Sequence, residues 1–261
     1  GPQVGNQMIR VEVARDQAPD LPLDVMGADI QGGLGYMIER VLREKLRRRG
    51  LSAKVCCMLS MVEVNWDDPA MGEPTKFVGP FFEEKDVERL RKDRGWIVKE
   101  DKGRGWRRVV PSPEPIGLVE STELLTLIEA GCIVISGGGG GIPVARDERG
   151  NMVGVEGVID KDFASGVIAL AVGASELFIL TGVEKVKLGF GTPEERDLDR
   201  MTVREARSYL SCGEFPAGSM GPKVEAACRF VEGGGGRVLI TDIFTLRKAL
   251  EGKTGTWVVA D

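Results

Sequence analysis

Residues 132–171 read CIVISGGGGGIPVARDERGNMVGVEGVIDKDFASGVIALA. The opening CIVIS is a short apolar strand that runs straight into five glycines, Gly137–Gly141. Further on, DFASGVIALAVGA is a helix apolar nearly all round, which predicts burial on most of its faces. Outward in both directions the same alternation continues. On the N-terminal side Ile30, Leu34, Ile38, Val41, Leu42 and Leu46 keep helical spacing, with Arg47–Arg49 at the end and Gly50 as a stop. KVCCMLSMVEV then reads as one buried strand. Ser121 is placed to cap the short helix LLTLIEA, which stops at Gly131. On the C-terminal side LFILT is a strand, and Thr202 with Glu205 forms a capping box for a helix ending near Gly213. Pro222 sits in the first turn of KVEAACRFVE, whose apolar face is Val224, Ala227, Cys228 and Val231. RVLIT, a short helix FTLRKAL and the strand TWVVA close the chain. Repeated β-α alternation predicts an α/β fold with a mainly parallel sheet and helices on both faces.

Composition narrows the chemistry. The chain has 261 residues, 42% hydrophobic and 29% charged, with 35 Lys plus Arg against 40 Asp plus Glu and a net charge of −5. That excludes collagen, a disordered tail and a disulfide-stapled miniprotein, and it leaves no overall cationic field for nucleic acid or an anionic membrane. There is no histidine, which removes Ser-His-Asp and Cys-His nucleophile systems, HExxH zinc sites and any histidine base. Phosphoryl transfer survives this filter. Five cysteines without a CxxC pattern, three of them in apolar runs, predict packing thiols in a reduced, cytosolic compartment. No stretch approaches the roughly 18 apolar residues of a membrane helix, and no signal peptide is visible. The chain opens Gly1-Pro2-Gln3 without an initiator Met, which reads as a fragment or a processed product.

Three motifs point to an anion. Five glycines after a strand cost entropy, and close backbone approach to an oxyanion is the usual compensation; the plain alternative is a flexible turn. Asp160-Lys161-Asp162 precedes the buried helix, where the dipole favours a carboxylate and disfavours a lysine, so a lysine there suggests an anionic ligand or a simple surface cap. Gly218-Ser219-Met220-Gly221-Pro222-Lys223 opens another helix with free N–H groups and an ammonium, suited to phosphate or to nothing more than a helix start. Neither a Walker A sequence nor a GxGxxG fingerprint is present. Gly233–Gly236 reads as a mobile loop without chemistry. Together, two lysines at helix starts and a glycine cradle bracket a transferring phosphoryl group, for which positioning and charge neutralisation suffice. Residues 74–118, dense in charge around Trp96 and Trp106, break the alternation. They form either a small β-rich excursion or a lid over an anionic substrate.

The segments GPQVGNQ (1–7), PTKFVGPF (74–81), ISGGGGGIPV (135–144), GVEGVIDKDFAS (154–165), ILTGVEKVKLGFGTPEE (179–195) and FPAGSMGPKVEAA (215–227), with the final Gly-Thr strand, resemble the carbamate kinases of the amino-acid kinase superfamily. The resemblance runs in order along essentially the whole chain. It implies a three-layer αβα sandwich with a carbamate-side lobe over 1–150, a protruding subdomain over 74–118 and a nucleotide lobe over 151–261, assembled as a homodimer. It implies reversible phosphoryl transfer between ATP and carbamate, with Mg²⁺ bridging the β- and γ-phosphates, in fermentative arginine or related nitrogen catabolism. On this resemblance Lys161 and Lys223 neutralise the moving group and Asp162 orients them. Gly1, Lys76, Gly137, Gly138, Gly139 and Gly140 serve the carbamate or phosphoryl oxygens. Thr181, Gly182, Val183, Gly218, Ser219, Met220 and Gly221 line the nucleotide site. No protein metal ligand is expected. The family pattern also has a first strand ending in a Gly-Gly-Asn-Ala turn, about 45–50 residues in all, ahead of the motif at residue 1. A chain without that unit is expected to show an apolar gap and an unpaired strand edge. The alternatives are an N-terminally truncated, inactive or non-catalytic nucleotide-binding member of the superfamily and a kinase of this fold with another carboxylate acceptor; nucleic-acid binding and membrane insertion are not expected.

Overall fold

The structure of the chain, a computed structural model, describes residues 2–14, 17, 21–216 and 218–261. Two compact units divide it, residues 1–164 and 165–261. In the first unit α1 (Pro2–Val13) and α2 (Leu23–Arg48) precede β1 (Lys54–Cys57), β2 (Met61–Glu63) and a single turn, α3 (Pro69–Gly72). Then come β3 (Lys76–Phe82), α4 (Val87–Arg94), β4 (Val98–Glu100), β5 (Trp106–Val110), β6 (Gly117–Leu118), α5 (Ser121–Glu129), β7 (Cys132–Ile135), β8 (Ile142–Arg146) and β9 (Met152–Gly154). Helix α6 (Lys161–Ala171) starts in the first unit and ends in the second. The second unit continues with β10 (Glu176–Thr181), β11 (Val186–Leu188), β12 (Arg196–Leu198), β13 (Arg200–Thr202), α7 (Val203–Ser211), α8 (Met220–Glu232), β14 (Arg237–Asp242), α9 (Leu246–Leu250) and β15 (Thr256–Val259).

Both units contain parallel pairs: β1 with β7, β2 with β8, β10 with β14 and β13 with β15. Antiparallel β6 and β9 flank the β2–β8 pair in the first unit, whereas the second-unit order β10-β14-β15-β13 puts the antiparallel β14–β15 pair at the centre, with a parallel pair on each side. The α/β expectation therefore holds. The division falls after Ala164 rather than at 150, because β9 folds back on β8 and Lys76 reaches Asp160, which keeps residues 151–164 with the first unit. Residues 74–118 contain an antiparallel sheet in the order β3-β5-β4, closed by α4. Val87, Leu90 and Val98 form its small core, with Phe82, Trp96 and Trp106 packed on them. The second unit has the larger core, where α8 contributes Val224, Ala227, Cys228, Phe230 and Val231 against Val238 and Ile240 of β14.

Four local expectations change. The expected single strand KVCCMLSMVEV is two, broken at Met58–Ser60, and its halves belong to different sheets. Ser121 is the first residue of α5, not its cap: Glu120 holds the cap position without a side-chain bond. Helix α6 buries Asp162, Ala164, Gly166 and Ala169 but exposes Lys161, Ser165 and Ala171, so it is two-faced despite its apolar composition. In Gly233–Gly236, Gly234 is open, but three of the four glycines meet close neighbours: a Cβ would stand 2.7 Å from Leu170 on Gly233, 2.3 Å from the Phe230 ring on Gly235 and 2.6 Å from the Ser175 carbonyl oxygen on Gly236. Of the cysteines only Cys228 is buried; Cys56, Cys57 and Cys132 are half-buried and Cys212 is exposed. Burial nonetheless raises Cys56 and Cys57 and takes Cys228 to about 11, which disfavours the thiolate at each.

Candidate active site

Tertiary contact dictates the glycine run. Gly137, Gly138, Gly140 and Gly141 have φ of 74°, 48°, 133° and 87°, values that glycine adopts without strain. A Cβ on Gly140 would lie 2.3 Å from the Ile159 carbonyl oxygen, and one on Gly141 would lie 2.2 Å from Val62 Cγ2. Two further observations separate the glycines by role. The Gly137 N–H donates to Ser60 Oγ at 2.9 Å, and the Gly140 and Gly141 N–H groups donate to the Gly137 carbonyl at 3.0 and 2.6 Å. The N–H groups of Gly138 and Gly139, both exposed residues, have no partner among the described residues. Of the four glycines assigned to an oxyanion, these two carry backbone donors open to a ligand, while Gly137 and Gly140 hold the loop in shape.

The same loop adjoins the charged segment, since Gly140 packs on Ile159, one residue ahead of Asp160. Asp160 accepts the Asp162 N–H at 2.9 Å through one carboxylate oxygen and Lys76 Nζ at 3.1 Å through the other. Burial works against the charge of Asp160, but these two donors outweigh it and hold the carboxyl below its ordinary range. Lys161 Nζ donates to the buried carboxylate of Asp162 at 2.6 Å. Two carboxylates thus offset the dipole penalty of a lysine at the start of α6. Lys76, at the head of β3, is brought to this segment from 84 residues away. The first unit accordingly gathers Lys76, Asp160, Lys161 and Asp162 beside the glycine loop. Gly1 lies outside the described residues.

In the second unit Thr181, Gly182, Val183, Ser219 and Met220 line one cavity of about 210 Å³. Gly218 and Gly221 do not line it. Gly221 is buried at the start of α8, where a Cβ would stand 3.2 Å from the Pro216 carbonyl oxygen, so its part is to close the turn. Lys223 follows in the same first turn and is half-buried. The cavity has five further lining residues that the motifs did not identify: Lys185, Lys187, Phe190, Phe215 and Pro216. The alternation Lys185-Val186-Lys187 was the available signal, because a strand sends both lysines to one face. Lys185 pairs with Asp199 at 2.5 Å and Lys187 with Glu195 at 2.6 Å, and these hydrogen bonds raise the pKa of both ammonium groups. Among the described residues no group of three or more carboxylate or thiol side chains could hold a metal ion. No helix among them is long and apolar enough to cross a membrane.

Comparison with known proteins gives a consistent result. The model of the amino acid kinase family matches residues 10–242. The carbamate kinase of Pyrococcus furiosus is 48% identical over 261 residues, which is 99% of this chain and 83% of its own length. The carbamate kinase-like protein YahI of Escherichia coli is 44% identical, over 99% of this chain and 83% of its own. Among solved structures, the carbamate kinase of Giardia lamblia bound to AMP-PNP superposes with a TM-score of 0.94 at 38% identity, covering 100% of this chain and 83% of that one. The family model and this similarity along nearly the whole chain agree: it belongs to the amino acid kinase family, among the carbamate kinases.

Proposed function

We propose that the chain transfers a phosphoryl group reversibly between ATP and carbamate, giving ADP and carbamoyl phosphate. The observation that supports this reading is the packing of Gly140 against Ile159, which brings the glycine loop to the segment that carries the Lys76–Asp160 and Lys161–Asp162 pairs. In the proposal the N–H groups of Gly138 and Gly139, together with Lys76, take the carbamate-side oxygens. Lys161 and Lys223 neutralise charge on the transferring group, and Asp162 fixes Lys161 by their 2.6 Å bond. The cavity of the second unit takes the nucleotide, with Lys185 and Lys187 at its polar side.

Magnesium fits this arrangement as a phosphate-held ion. Asp160 and Asp162 are ion-paired with Lys76 and Lys161, and the phosphate oxygens of a bound nucleotide would hold the ion. When bound it supplies charge neutralisation; the residues of the chain orient and bind. The resemblance adds a cytoplasmic homodimer working toward ATP in arginine or related nitrogen catabolism. The reading is tested by ATP formation from ADP, Mg²⁺ and carbamoyl phosphate, with Lys223→Ala as the blank. Lys161→Ala and Lys223→Ala are each expected to lower turnover at least about a hundredfold, the scale for loss of a preorganised charge. Nucleotide binding without turnover in the unaltered chain would instead favour a non-catalytic relative, and turnover with a different carboxylate would change the acceptor.

A further inference from the structure

Ser60 lies in the break between β1 and β2 and is completely buried. Its hydroxyl accepts the Gly137 N–H at 2.9 Å and donates to the Met58 carbonyl at 3.3 Å. Its carbonyl accepts the Ile142 N–H at 2.8 Å. One residue therefore fastens both the entry and the exit of the glycine loop. Ser60 is in turn held by Gln31, the buried polar residue of α2: the Gln31 side-chain oxygen accepts the Ser60 N–H at 2.9 Å, and its amide nitrogen donates to the Ser60 carbonyl at 3.3 Å. The carboxamide thus bonds Ser60 as a neighbouring strand would. The stem of Gln31 also forms the floor of the loop, since a Cβ on Gly138 would stand 2.6 Å from Gln31 Cγ.

A glutamine buried on a helix otherwise lined by Leu23, Met26 and Gly35 is costly unless both ends of its amide are bonded. Here both are, and to a single residue. We infer that Gln31 and Ser60 are positioning residues that clamp the loop so that the Gly138 and Gly139 N–H groups keep a fixed aim; the inference rests on the reading of that loop as a phosphoryl site. Donors held in place before the substrate arrives stabilise developing charge without reorganising. Removing the Ser60 hydroxyl leaves the Gly137 N–H buried and unbonded, and the loop must shift to satisfy it.

The test uses the full chain and two readouts. In hydrogen exchange, Ser60→Ala is expected to speed exchange of the bonded amides of Gly137, Gly140, Gly141 and Ile142 by at least about tenfold while those of α8 keep their rates. Unchanged exchange in the loop overturns the inference. In the carbamoyl phosphate assay, kcat should fall at least about tenfold with KM for ADP within about twofold, and Ser60→Thr, which keeps the hydroxyl, should recover most of the loss. A lower melting temperature with unaltered kcat, or a folded Ser60→Thr that recovers nothing, also overturns it. Should Ser60→Ala fail to fold, Gln31→Met, which keeps the stem and removes the amide, carries both readouts. An unaltered chain that turns nothing over defeats the functional reading alone, and the exchange measurement then decides the clamp by itself.

Discussion

Gly139 and Gly140 are adjacent and chemically identical, yet a methyl group on each should have opposite consequences. At Gly140 the added carbon meets the Ile159 carbonyl in a backbone conformation reserved for glycine, so Gly140→Ala is expected to destabilise the fold by about 1–3 kcal/mol, read from chemical denaturation. At Gly139 the space is open and φ is ordinary, so Gly139→Ala should leave stability within about 0.5 kcal/mol. If the open face receives carbamoyl phosphate, that same variant should raise KM for it several-fold; an unchanged KM removes Gly139 from the site. This distinction was beyond reading in the sequence. Five glycines announce a backbone that side chains would obstruct, but which ones face Ile159, Val62 or Gln31 is decided by residues far away in the chain. The Asp160-Lys161-Asp162 cluster was more legible, because a lysine among carboxylates at a helix start is unusual in itself.

Elements whose causes are local followed their sequences. The box at the start of α7 is complete: Thr202 Oγ1 accepts the Glu205 N–H at 3.3 Å, and the Glu205 carboxylate accepts the Thr202 N–H at 2.8 Å. Thr202→Ala is expected to cost about 1 kcal/mol in denaturant midpoint, with turnover unaffected. Gly50, Gly131 and Gly213 follow the ends of α2, α5 and α7 with φ of 68°, 78° and 72°, as residues after a helix often do. The break at Met58–Ser60 could not be read this way. Nothing in MLS is a breaker; the strand divides because Gln31, 29 residues earlier, supplies Ser60 with the bonds a sheet neighbour would otherwise give. The same limit applied to α2, where Leu23, Met26, Gln31 and Gly35 are buried while Ile38 and Val41 of its apolar stripe are about half exposed. Helical spacing establishes the helix, not which face its neighbours cover.

Across the molecule, the excursion at 74–118 is a folded unit with its own core, yet its first residue of β3 is the lysine that reaches Asp160. Shortening its tip, within residues 83–105, should weaken use of carbamoyl phosphate more than binding of ADP, measured as separate KM values. The reverse result would show that the excursion does not serve the anion. The excursion was legible as a departure from β-α alternation, whereas its attachment to Asp160 was not, since that pairing spans half the first unit. The Lys76–Asp160 pair has a further consequence, for timing. If Lys76 receives an anion, that anion shares or contests the ammonium with a carboxylate already bonded to it. On that reading Asp160 is a tethered competitor that shortens the ligand's residence. Asp160→Asn should slow dissociation of carbamoyl phosphate several-fold in stopped-flow measurements, so that the variant holds its ligand longer and works no faster.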